Sequence, residues 1–272
     1  MITIPELAAE ALGSHLAERL DRRFGSTDKG LIELVQSAAQ IALDCIGNSD
    51  ALYHNFEHTM LVTLCGYDIV RGRMLQTPTS ASDFAHVLIA CLLHDIGYVR
   101  GILKGDSAEG YIIDAKGNKT KPPRGSSDAA LLPHHVDRSK LFVMDRIGKI
   151  EALDAIRIAN AIESTRFPVA AGADTSDNED GMLVRAADLI GQLGDPHYLR
   201  KANALYYEFE EAGMNRQLGL LRRLISLSSI RIFIGTAYRP TFKTRSATST
   251  LRQAGGSGLQ TFIATYFVQS VH

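Results

Sequence analysis

Apolar residues recur three and four positions apart through most of the first 211 residues, and the alternating stretches that build strands are scarce. That spacing puts apolar side chains on one face of a helix, so the chain is expected to be all-α. Leu7, Ala11, Leu12, Leu16 and Leu20 form a first stripe that ends near Gly25; Leu31, Leu34, Val35, Ala38, Ile41, Ala42 and Cys45 form a second that ends at Gly47. Residues 56–74 read as a third helix, broken around Pro78. Ser80 or Ser82 can cap a fourth, carrying Phe84, Val87, Leu88, Cys91 and Leu92 and delivering His94 and Asp95 near its end, before Gly97.

Between Val99 and Gly125 the pattern dissolves among glycines and prolines. Residues 111–120 can form a small hairpin turning at Lys116, Gly117 and Asn118, expected as a lid beside the site, with Lys104, Lys119, Lys121 and Arg124 suited to a phosphate. An ordinary solvated loop is the alternative. Helical spacing returns at about Asp128, runs through Ile147 and Ile150 to Ile162, breaks at Phe167 and Pro168, and resumes from Gly181 to Leu193; Pro196 opens a further helix reaching about Glu211.

With 272 residues, 45% of them hydrophobic, the chain can bury the core of one large domain, and no linker or repeat divides it. The apolar runs are shorter than a membrane span and the start lacks a secretory pattern, so a soluble cytoplasmic protein is expected. Cys45, Cys65 and Cys91 are far apart among apolar neighbours and read as packing residues. Charge divides the chain unevenly. Residues 1–211 hold 21 Lys and Arg against all 30 acids, a formal −9, whereas 212–272 hold eight Lys or Arg and no acid. The cations of this tail form neither a dense cluster nor an amphipathic stripe, which argues against nucleic acid and membrane as partners. The tail reads either as a basic extension or as sequence translated out of frame beyond Gly219, leaving 1–219 as the functional domain. A frame shift near codon 219, seen against a collinear relative, would decide between them.

Chemistry is carried by Tyr53-His54-Asn55-Phe56-Glu57-His58, by His94-Asp95, and by Asp188 in an apolar stretch. Two imidazoles and two carboxylates make a ligand set for a divalent metal hydrolase. His54 and His58, four apart, would share one helical face, so that one can bind metal while the other meets substrate. A carboxylate at a helix end, as Asp95 would be, can bridge two cations, and a buried Asp188 requires a cation or strong donors.

In these residues and their order the chain resembles the HD superfamily of metal-dependent phosphohydrolases, and most of all the branch with the class I cyclic-nucleotide phosphodiesterases. The likeness covers residues 45–218 and implies an HD/PDEase-like helical bundle with an insertion around 99–125. It implies that His58, His94, Asp95 and Asp188 hold a first ion, that Asp95 bridges to a second, and that His54 protonates the leaving oxygen. One or two ions of Mg²⁺, Mn²⁺, Zn²⁺ or Fe²⁺ would activate a water for attack on a phosphoester, nucleotide or cyclic-nucleotide-like.

The chain also departs from that branch. Where the phosphodiesterases have a further histidine past His-Asp, this sequence has Ile96-Gly97-Tyr98. His135 is the candidate to replace it, and Arg166 the candidate to hold a phosphate, both on the substrate side; surface roles for both remain open. The glutamine and aromatic pair that clamp a purine cannot be located here, which argues against cyclic-nucleotide specificity. The other functional class to keep is a catalytically silent metal-binding module that acts as a sensor or binds a partner.

Overall fold

A computed structural model describes residues 1–168 and 178–218. The first two helices, α1 (Ile4–Phe24) and α2 (Lys29–Ile46), pack against each other along their length. Thr3 caps α1 in a box with Glu6. The buried face of α1 is Ala9, Leu12, Gly13, Leu16 and Leu20, so Leu7, 53% exposed, and Ala11, both in the expected stripe, fall outside it. The expected α2 stripe is likewise rotated: Ile32, Ala39, Leu43 and Ile46 are buried, whereas Ile41 is 53% exposed. Gly13 supplies the reason, since a Cβ there would lie 3.1 Å from the Gln36 carbonyl oxygen. The two backbones approach at this point, and the faces turn to allow it.

Helix α4 (Ala81–Leu93) is central, buried at every position from Phe84 to Leu93 and packed on α2, α3, α6 and α7. A helix apolar on all sides belongs in the middle of a bundle. Of the two candidate caps Ser80 is the one used, boxed with Asp83. Helix α3 (Phe56–Arg73) lies against α7 (Glu179–Leu193), so closely that a Cβ on Gly191 would sit 3.0 Å from the Val62 backbone. Val62 is one turn after His58 and Gly191 nearly one turn after Asp188. The glycine contact therefore sets the distance between the helices that carry these two side chains.

The stretch expected as continuous helix from Asp128 to Ile162 is three pieces: a 3-10 segment (Asp128–His134), α5 (His135–Arg146) and α6 (Ala155–Glu163). Arg157 of α6 donates to Asp83 at 2.8 Å and Asp180 at 2.5 Å, tying the starts of α4 and α7 to α6. Burial opposes ionisation of Asp83, but hydrogen bonds from Ser80 and the Arg157 cation outweigh it and hold the carboxyl at about 2. A carboxyl depressed in the folded state stabilises above its unfolded pKa of about 3.9, and that contribution is lost as pH falls through about 2. Arg157→Ala is expected to lower the midpoint of thermal unfolding at neutral pH by a few degrees. The gap to wild type should close on acidification from pH 5 to 2; a gap constant across that range contradicts the account.

The hairpin pairs β1 (Tyr111–Ile112) with β2 (Lys119–Thr120), Tyr111 opposite Thr120. Arg138, fully buried, holds it from α5: the guanidinium donates to the Ile112 carbonyl at 2.5 Å and to both oxygens of Asp106 at 2.9 and 3.2 Å. The hairpin is thus a brace on α5. Last come α8 (Tyr198–Glu211) and a short α9 (Met214–Gln217). Ala202, Leu205 and Phe209 of α8 pack with Tyr53, Tyr98 and Leu132 in a second apolar cluster above the site. The basic tail of residues 220–272 lies outside the described residues. No helix among those described is long and apolar enough to cross a membrane.

Candidate metal centre

Three helices bring the candidate ligand residues together. Asn55 caps α3, its side chain accepting from the backbone N–H of Glu57 at 3.0 Å and of His58 at 3.4 Å, which places His58 in the first turn. His94 is the C-cap residue of α4, Asp95 follows it, and Asp188 comes from the middle of α7. His58 Nε2 lies 3.4 Å from Asp95 Oδ2 and 3.3 Å from Asp188 Oδ1; His94 Nε2 lies 3.1 Å and 3.8 Å from the same two oxygens. Nitrogen and oxygen alternate around one point. Ligands each about 2.1 Å from a shared cation stand about 3–3.4 Å apart, and three of these four separations fall in that range, the fourth being 3.8 Å.

The chemistry of these atoms fits a cation. His58 Nε2, His94 Nε2 and Asp95 Oδ2 are buried, close together but misaligned for hydrogen bonding, and none has a hydrogen-bond partner. Three orphaned buried polar atoms are costly unless something shared satisfies them. The other nitrogen of His94 is tied to the Cys91 carbonyl at 2.8 Å, which leaves Nε2 for the centre. Burial works against the charged form of His94, yet Asp95 and Asp188 outweigh it and raise the pKa to about 9. Burial likewise opposes ionisation of Asp95, but His94, His54 and His58 hold it well below the usual carboxylate range; His58 and His94 lower Asp188 in the same way. Both carboxylates are therefore charged.

His54 is not on the helix that carries His58. It precedes the Asn55 cap, and an extended turn brings its ring centroid within 5.5 Å of the ring of His58. Glu208 of α8 fixes it: one carboxylate oxygen lies 2.5 Å from His54 Nδ1, and the other accepts from the backbone N–H of Tyr53 at 2.6 Å and of His54 at 3.2 Å. Burial would keep the imidazole neutral, but Glu208, with Asp95, raises its pKa, and His54 lowers that of Glu208 against its own burial. His54, His58 and Asp95 also lie close enough to form a ligand group, alongside His58, His94 and Asp188.

A cavity opens beside the centre, lined by His54, Asp95, Tyr98, His135, Arg166 and Asp188 among others. His135 Nε2 is 3.8 Å from Asp95 Oδ1, the oxygen turned away from the four-ligand ring, and its Nδ1 is held by the Leu132 carbonyl at 2.5 Å. Arg166 also lines the cavity, but its guanidinium is engaged by Glu163 at 2.5 Å and Asp137 at 2.8 Å, so its charge is largely neutralised. Arg185, buried one turn before Asp188, lines the same wall. Asp188 faces His58 and His94 rather than a solvated surface. No residue of 99–125 is among those lining the cavity, so the expected lid with Lys104, Lys119, Lys121 and Arg124 does not cover it. The cysteines stay apart from this chemistry: all are free thiols, and burial with the Asp68 charge pushes Cys65 up to about 12.

Glu208 went unrecognised in the sequence. Its signal is an acid on the same buried stripe as Ala202, Leu205 and Phe209 of α8, where an ionised side chain needs a partner. No curated protein and no solved structure matches the chain. A family model described as Npun_R2479-like matches residues 2–228, and the chain belongs to that family.

Proposed function

We propose that this protein is a metal-dependent phosphohydrolase that cleaves a phosphoester, of the nucleotide or cyclic-nucleotide-like kind. The observation that carries the reading is the ring formed by His58, His94, Asp95 and Asp188, with three of its atoms buried and unpartnered. These four residues would hold one divalent cation, and Asp95 with His135 would hold a second through the outer carboxylate oxygen. A bound cation supplies Lewis-acid polarisation of a phosphoryl oxygen and makes a water nucleophilic near neutral pH.

The protein's own groups supply the rest. Glu208 orients His54 and favours its protonated form, so that the imidazole can donate a proton to the departing oxygen. Leu132, Leu205 and Phe209 line the cavity with apolar surface, which would limit water beside a bound ester. Metal analysis of the purified protein, combined with a panel of phosphomonoesters, phosphodiesters and nucleotides assayed with Mn²⁺ or Mg²⁺, tests this. About stoichiometric metal and turnover of at least one ester class are expected. Metal-loaded protein inert across the panel would favour the silent sensor module instead.

A further inference from the structure

Tyr98 is a buried aromatic residue that the reading above leaves without a task. Its ring is stacked between two imidazoles, 4.6 Å from His54 at an interplanar angle of 13° and 4.5 Å from His135 at 20°. The three parallel rings form one wall of the cavity. The outer two each have a ring nitrogen anchored, His54 by Glu208 and His135 by the Leu132 carbonyl. The Tyr98 hydroxyl, by contrast, makes no hydrogen bond to any of the described residues.

The backbone under this ring is tightly held. Ser139 Oγ accepts from the Gly97 N–H at 2.9 Å and donates to the His94 carbonyl at 2.7 Å, and Arg138 Nε donates to the Gly97 carbonyl at 2.7 Å. A Cβ on Gly97 would sit 1.9 Å from the His135 carbonyl oxygen, so α5 presses directly on the turn that follows Asp95. Tyr98 cannot shift without moving Asp95 or His135. A ring fixed in this way, between the imidazoles of His54 and His135 on the cavity wall, holds its hydroxyl pre-organised for charge that develops on a bound group.

We propose that Tyr98 is a substrate-contacting catalytic residue whose hydroxyl donates a hydrogen bond to a non-bridging phosphoryl oxygen, while its ring spaces His54 from His135. This rests on the phosphohydrolase reading. Tyr98→Phe keeps the ring and both stacks and removes only the donor, so it separates catalysis from packing. The full-length protein and this variant are loaded with Mn²⁺ and compared in four measurements: manganese content, unfolding midpoint, affinity for inorganic phosphate by calorimetry, and turnover of a phosphodiester.

Manganese content and midpoint are expected to match wild type. Phosphate affinity should weaken about tenfold, the scale of one hydrogen bond to a charged group. The kcat should fall on the order of 10²-fold, as when one pre-organised donor is removed. Unchanged phosphate affinity and kcat overturn the assignment, and so does loss of manganese, which would make the ring a support for the ion. Failure of the loaded wild type to bind phosphate at all sinks the phosphohydrolase reading itself.

Discussion

Asp95→Ala is expected to remove metal-dependent turnover, by about 10⁴-fold or more, the scale on which loss of an essential catalytic group acts. Among the described residues Asp95 faces both sides of the proposed site: Oδ2 meets His58 and His94, and Oδ1 meets His135. Deleting it would remove a member of the ring and of the proposed second position together. A bound ion stabilises the folded chain by about 2.7 kcal/mol at a hundredfold excess over its Kd, so Mn²⁺ should raise the wild-type unfolding midpoint and leave the variant where it was. Asp95→Asn keeps the volume and removes the charge, which guards against a packing defect as the cause. The same Mn²⁺-induced rise in either variant, or preserved turnover, would remove Asp95 from the centre.

The cluster of His58, His94, Asp95 and Asp188 was legible because a divalent cation would narrow the choice of residues to histidine and carboxylates, and capping signals anchor them. Asn55 and Ser80 cap the starts of the helices that present His58 and His94. Helix faces were less legible. In α1 the contact at Gly13 turns the buried side toward Ala9, and a glycine is silent in an apolar pattern. The gap between α5 and α6 was hidden for another reason. Ile147, Ile150 and Leu153 are three apart and face inward, but successive tight turns join them, with Ile150 N–H donating to Ile147 and Leu153 N–H to Ile150. Apolar residues at turns of three imitate a helix.

Whether the hairpin covers the site was not legible, because positive charge at Lys119 or Arg124 says only that a residue is solvated, not which surface it faces. What positions the hairpin is Arg138, an ion pair with Asp106 across 32 residues that no local pattern announces. Glu208 is the same problem at longer range, 154 residues from His54. Partners of that separation follow from topology, and topology was the part the spacing left open.

His54→Ala should separate proton donation from metal binding. Manganese content is expected to hold, since the ring of His58, His94, Asp95 and Asp188 does not need this residue, whereas kcat should fall about 10²–10⁴-fold, the range for losing a general acid. The leaving group makes the assignment specific. A p-nitrophenyl ester releases a stable anion that needs little protonation, so its hydrolysis should suffer much less than that of an alkyl or nucleoside ester. Glu208→Gln should move both substrates in the same order but by a smaller margin, about 10–100-fold, because the amide still accepts from the Tyr53 N–H yet no longer sustains the imidazolium. If His54→Ala slows the two esters equally, the residue is not the acid. If instead it strips the metal, His54 belongs to the ligand group it forms with His58 and Asp95.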